Sequence, residues 1–100
     1  MDMSAEKSKP ASSSKPGANE IFIDNFSFSP ANITVPVGTK LTWTNKDDVP
    51  HNVVSTANKF ASPVLDTDQK FSFTFDEAGS YDYYCSIHPR MTAKVIVQPK

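Results

Sequence analysis

From Glu20 onward, apolar residues recur at every second position: Ile21 and Ile23, Phe26 and Phe28, Ile33, Val35 and Val37, Leu41 and Trp43, Phe71, Phe73 and Phe75, Tyr81 and Tyr83, Val95 and Val97. Successive side chains on a pleated backbone point to opposite faces, so this period builds half-buried strands rather than helices. Turn-forming stretches, SPAN, PVGTK, NKDDVP, ASPVLDTDQ and DEAGS, fall between the runs. About eight short strands with one buried face predict an all-β Greek-key β-sandwich of two antiparallel sheets. Within residues 55–69, Ala57, Phe60, Ala61 and Leu65 have the spacing of a short helical turn, against which Pro63 argues for a loop.

Of the 100 residues 38% are hydrophobic, enough apolar material for one core and hardly two. Residues 1–19 hold five serines, three lysines and two prolines and no aromatic or β-branched residue, so they cannot offset the entropy of ordering. They read as a flexible tail, followed by one domain over residues 20–100. No apolar h-region follows the charges of this segment, so it does not read as an intact signal peptide; a cleavage remnant, a tether and an artificial start at Met1 all stay open. The formal charge of −1 leaves no electrostatic footprint for nucleic acid, and no run of about 18 apolar residues is present to span a bilayer. A lone cysteine forms no internal disulfide, so Cys85 is buried, reactive or metal-bound.

That cysteine lies in the stretch YCSIHPRM, together with His88 and Met91. Tyr81, Tyr83 and Cys85 share one strand face, which puts the thiol inward at the strand's end. Pro89 cannot donate to a ladder and disfavours a helical His88, so a tight loop returns His88 and Met91 toward Cys85. The only other histidine, His51, sits after DDVP and before a strand-like HNVV. Two imidazoles, a thiolate and a weak thioether make the donor set of a trigonal copper site with a long axial methionine. Zinc fits less well, because neither its structural nor its catalytic sites need a thioether. Copper held between the preferences of its two oxidation states is suited to one-electron transfer.

Residues 20–98 resemble the cupredoxins, the type 1 blue copper proteins. LTWTNKDDVPHNVV is similar to the family's strand, loop and first-histidine segment, and FTFDEAGSYDYYC to its approach to the cysteine. The short C-x2-H-x2-M loop resembles that of the amicyanin group. The resemblance implies a copper ion held by His51, Cys85, His88 and Met91, with Asn52 linking the loops near the sulfur. It also implies a monomer in the periplasm or another extracytoplasmic space. Redox partner proteins, of cytochrome, dehydrogenase or oxidase type, would dock on an apolar patch around His88, for which Pro50, Pro63, Ile87 and Pro89 are the candidates. Ile87 stands where amicyanins have a proline, and Arg90 where they have a bulky apolar residue. Both departures imply a looser loop, and Arg90 favours an acidic partner.

Taken singly, each residue has an ordinary reading: Cys85 and Met91 as core filling, His51 as a surface imidazole, Asn52 as a turn residue. Their combination at this spacing on an all-β frame carries the copper assignment. Tyr83 and Tyr84 read mainly as packing, and Asp47, Asp48, Asp76 and Glu77 as solvated turns. Asn25-Phe26-Ser27 and Asn32-Ile33-Thr34 match the short glycosylation pattern. Three functional classes follow: a one-electron carrier, a copper-binding or copper-delivery module, and an enzyme with a Cys85/His88 nucleophile pair. The last lacks an orienting carboxylate and an oxyanion-stabilising turn, so the chain reads as a non-enzyme.

Overall fold

The fold, given by a computed structural model, is described for residues 17–99. Most of the segment expected to form a tail therefore lies outside the described residues. The described chain forms eight strands and no helix: β1 (Glu20–Asp24), β2 (Ser27–Ser29), β3 (Asn32–Pro36), β4 (Thr39–Asn45), β5 (Val54–Ser55), β6 (Lys70–Phe75), β7 (Gly79–Tyr84) and β8 (Thr92–Gln98). They form two four-stranded sheets, ordered β2-β1-β4-β6 and β3-β8-β7-β5. The sandwich is thus as expected, but the sheets are mixed rather than purely antiparallel. β1 runs parallel to β4, with Ile21 opposite Trp43, and β3 runs parallel to β8, with Ile33 opposite Val95. Neither pair is joined by a hairpin. In each the chain leaves for the other sheet before it returns, which is the condition for parallel neighbours.

The alternating residues close the space between the sheets. Ile21, Ile23, Phe28, Val35, Leu41, Trp43, Phe75, Tyr83, Val95 and Val97 are all buried. Trp43 lies at the centre, its ring centroid 5.5 Å from that of Tyr83, 5.7 Å from Phe60 and 5.8 Å from Phe71. Each such pair adds roughly 0.5–1.5 kcal/mol to the burial of its area. At the edge, the Tyr81 hydroxyl donates to the carbonyl of Glu77 at 2.6 Å, tying the turn before β7 to the strand. Burial pushes the Tyr83 hydroxyl well above the usual phenol range, an effect partly offset by the neighbouring Trp43 indole. Among the described residues neither that hydroxyl nor the indole N–H has a partner in good hydrogen-bond geometry.

Residues 55–69 form no helical turn. Phe60 and Leu65 enter the core while Ala57 and Ala61 stay exposed, as befits an extended loop through Pro63. Isolated bridges from His51 to Leu65 and from Val54 to Ala61 hold this loop against the segment leading into β5. Asn45, fully buried at the end of β4, organises the approach to His51. Its side-chain amide donates to the carbonyls of Val49 (3.0 Å) and Leu65 (2.8 Å), and its Oδ1 accepts from the N–H of Asp47 (2.8 Å).

Candidate metal centre

Cys85 is the first residue past β7 and is fully buried. The loop after it turns on three backbone hydrogen bonds: His88 N–H to the Cys85 carbonyl (3.1 Å), Met91 N–H to the His88 carbonyl (2.9 Å) and Cys85 N–H to the Met91 carbonyl (3.1 Å). This doubling back, which Pro89 favours, sets His88 beside the thiol and buries Met91. His51 comes from the other side of β7, because β5 pairs with it antiparallel and the bridge to Leu65 anchors the residues just before β5. The first imidazole, fully buried, is delivered in this way from 34 positions upstream.

Nδ1 of His51 lies 3.6 Å and Nδ1 of His88 3.8 Å from Sγ of Cys85. One donor atom from each of the three residues lies within 4.8 Å of the other two. A nitrogen about 2.0 Å and a sulfur about 2.3 Å from one ion, spread by about 120°, stand about 3.7 Å apart, so the spacing fits a shared trigonal ion. Soft sulfur with two imidazoles is the chemistry that copper prefers.

The surroundings fix these donors. Asn52 donates its backbone N–H to Cys85 Sγ at 3.5 Å. Its side chain makes a reciprocal pair with Ser86: Nδ2 to the hydroxyl and Ser86 N–H to Oδ1, each 2.8 Å. Asp47, expected as a solvated turn residue, is instead only 8% exposed, with Oδ2 2.9 Å from His51 Nε2. Burial alone would raise its carboxyl, but hydrogen bonds from His51, Phe26 and Asp48 outweigh that and hold it below the usual carboxylate range. An ionised carboxylate only accepts, so His51 donates from Nε2 to Asp47 and turns Nδ1 toward the thiol.

A groove of about 440 Å³ opens at this end, lined by Phe26, Ile87, His88, Pro89, Arg90 and Met91. Of the four residues expected to form an apolar patch, Ile87 and Pro89 line it; Pro50 and Pro63 do not line the groove. Phe26, expected to alternate with Phe28 in one strand, lies in the turn between β1 and β2 and is half exposed. Its ring meets both imidazoles, at 5.7 Å from His51 and 5.1 Å from His88. Sequence reasoning missed Asp47 and Phe26 as neighbours of the site. The available signals were the four-residue spacing of Asp47 to His51 and an asparagine, tolerant of left-handed backbone, just before Phe26.

A β-sandwich with a His-Cys-His cluster at one end defines a class of small copper proteins. Residues 17–98 match the family of copper binding proteins of the plastocyanin/azurin type, and the chain belongs to that family. It is 37% identical to amicyanin from Paracoccus denitrificans over 87 residues, covering 82% of this chain and 66% of that protein. With chloroplastic plastocyanin from Tetradesmus obliquus it shares 36% identity over 84 residues, covering 71% of this chain and 58% of that protein. Among solved structures, a purple cupredoxin from Nitrosopumilus maritimus superposes with a TM-score of 0.74 at 42% identity, covering 79% of this chain and 98% of that one. An oxidised amicyanin variant gives a TM-score of 0.77 at 37% identity, with 82% and 83% covered.

Proposed function

We propose that this protein is a one-electron carrier whose copper is held by His51, Cys85, His88 and Met91. The observation that carries this reading is the convergence of both imidazole Nδ1 atoms on the single thiol, at 3.6 and 3.8 Å. Copper bound there would supply a couple between its cupric and cuprous states. The protein's part is to keep the donors still. Asp47 orients His51, the Asn52–Ser86 pair ties the two ligand-bearing loops together, and the three backbone hydrogen bonds of the 85–91 loop set His88 and Met91. Little then rearranges when charge arrives, which is the requirement for fast transfer. The groove beside His88 supports docking of redox partner proteins at this end, with Arg90 as its cation. Family habit supports an extracytoplasmic location and a role without substrate turnover. Among the described residues no helix is long and apolar enough to cross a membrane.

Adding Cu(II) to the purified protein should produce an intense visible charge-transfer band and a type 1 EPR signal, both abolished in Cys85→Ser. Persistence of the band in that variant would sink the assignment. Reversible voltammetry with fast self-exchange supports the carrier; rapid loss of Cu(I) to a chelator would instead make the domain a delivery module.

A further inference from the structure

Phe26 occupies a backbone position that a phenylalanine rarely takes. Asn25 and Phe26, the two residues joining β1 to β2, have φ of 51° and 58°. Two successive positive angles are what a two-residue hairpin loop of type I′ requires. Asparagine tolerates the first, while the second ordinarily falls to glycine, because a Cβ there crowds the neighbouring carbonyl. The side chain in this strained place is half exposed and adds nothing to the space between the sheets. It stands instead against the two imidazoles, with its ring plane at 86° to His51 and 80° to His88. The backbone below is fastened to the same group as the first imidazole: Asp47 Oδ2 accepts from Phe26 N–H at 3.0 Å and faces His51 Nε2 at 2.9 Å.

We propose that Phe26 is a positioning residue for the copper ligands, its ring wedged against both imidazoles so that it fixes their separation and keeps water from the open side of the metal. The proposal rests on His51 and His88 being ligands. Near-perpendicular aromatic rings attract edge to face, and two such contacts correspond to roughly a tenfold gain in ligand retention. A turn built for glycine that carries an aromatic ring aimed at the site is explained by this role and by no contribution to the core.

Phe26→Gly separates the two roles, because it removes the ring and relaxes the turn in one step. The apo variant should melt at or above the wild-type temperature. The copper-loaded variant should lose Cu(I) to a cuprous chelator about tenfold faster than wild type, and its reduction potential should fall as water reaches the metal and favours the cupric state. Phe26→Tyr should restore retention in full and Phe26→Leu only in part. Retention and potential equal to wild type in Phe26→Gly would overturn the proposal. So would a loss of apo stability that matches the loss in the copper-loaded form. Failure of the ligand assignment looks different, since wild type itself would then show no Cys85-dependent copper band.

Discussion

The carboxylate of Asp47 lies 2.9 Å from Nε2 of His51, an imidazole with no exposure to solvent. Asp47→Ala should leave that N–H buried without a partner, at a cost of about 1–3 kcal/mol to the apo protein. It should also weaken copper binding by about 10–100-fold, the usual effect of losing a hydrogen bond behind a metal-bound histidine. Urea denaturation and competition with a chelator measure the two. The pH dependence has a definite sign. The folded carboxyl is held below its ordinary value of 3.8, so its contribution to stability is complete above pH 3.8 and is lost as pH falls through the folded value. Melting temperatures of apo protein in the acid range should therefore drop more steeply for wild type than for Asp47→Asn.

Asn52 and Ser86 test the link between the loops by the order of their effects. Ser86→Ala removes only the hydroxyl, while the backbone N–H of residue 86 still reaches Asn52 Oδ1. Asn52→Ala removes both bonds. The expected losses are about 1 kcal/mol and about 2–3 kcal/mol respectively, and the shift in reduction potential should follow the same order. Equal losses in the two variants would show that the reciprocal pair does not act as described.

Tyr83 presents the opposite situation, a buried hydroxyl without a good partner. Tyr83→Phe removes a group that is unsatisfied in the folded state but hydrated in the unfolded one. Stability should be unchanged or rise by up to about 1 kcal/mol, or roughly 4–8 °C in Tm. Because burial raises this group above its ordinary value of 10.0, the stability that depends on its neutral form is complete below pH 10 and is lost as pH rises beyond it. Alkaline unfolding of wild type should accordingly begin at lower pH than that of the variant.

Metal binding should itself raise stability, because the donors converge only in the native state. At free copper one hundred times the dissociation constant the gain is about 2.7 kcal/mol, or roughly 10–20 °C for a domain of this size. Differential scanning calorimetry of Cys85→Ser with copper should show most of this increment gone.

The architecture was legible because alternation marks strands wherever one face is buried, and Ile21, Ile23, Leu41 and Trp43 follow it without exception. The clustering of His51, Cys85 and His88 was legible because cysteine and histidine are scarce and their spacing is chemical. Phe26 was misread because a two-residue turn conserves the period of two while taking its residues off the sheet, so Phe26 and Phe28 look alike in sequence and differ in space. Asp47 was misread because aspartate in a turn is ordinarily solvated, and only the inward pull of Asn45 and the return of His51 bury it. The parallel pairings were invisible for a related reason: period reveals faces, not neighbours.

His51 and Cys85 meet only when β5 has zipped onto β7, and the Leu65 carbonyl that accepts from His51 N–H also accepts from the side chain of Asn45, at the tip of a strand in the opposite sheet. A nascent chain that has not closed both layers has no place to keep the ion. Uptake would therefore come last in maturation, and the depth of colour of a preparation would count its correctly closed molecules.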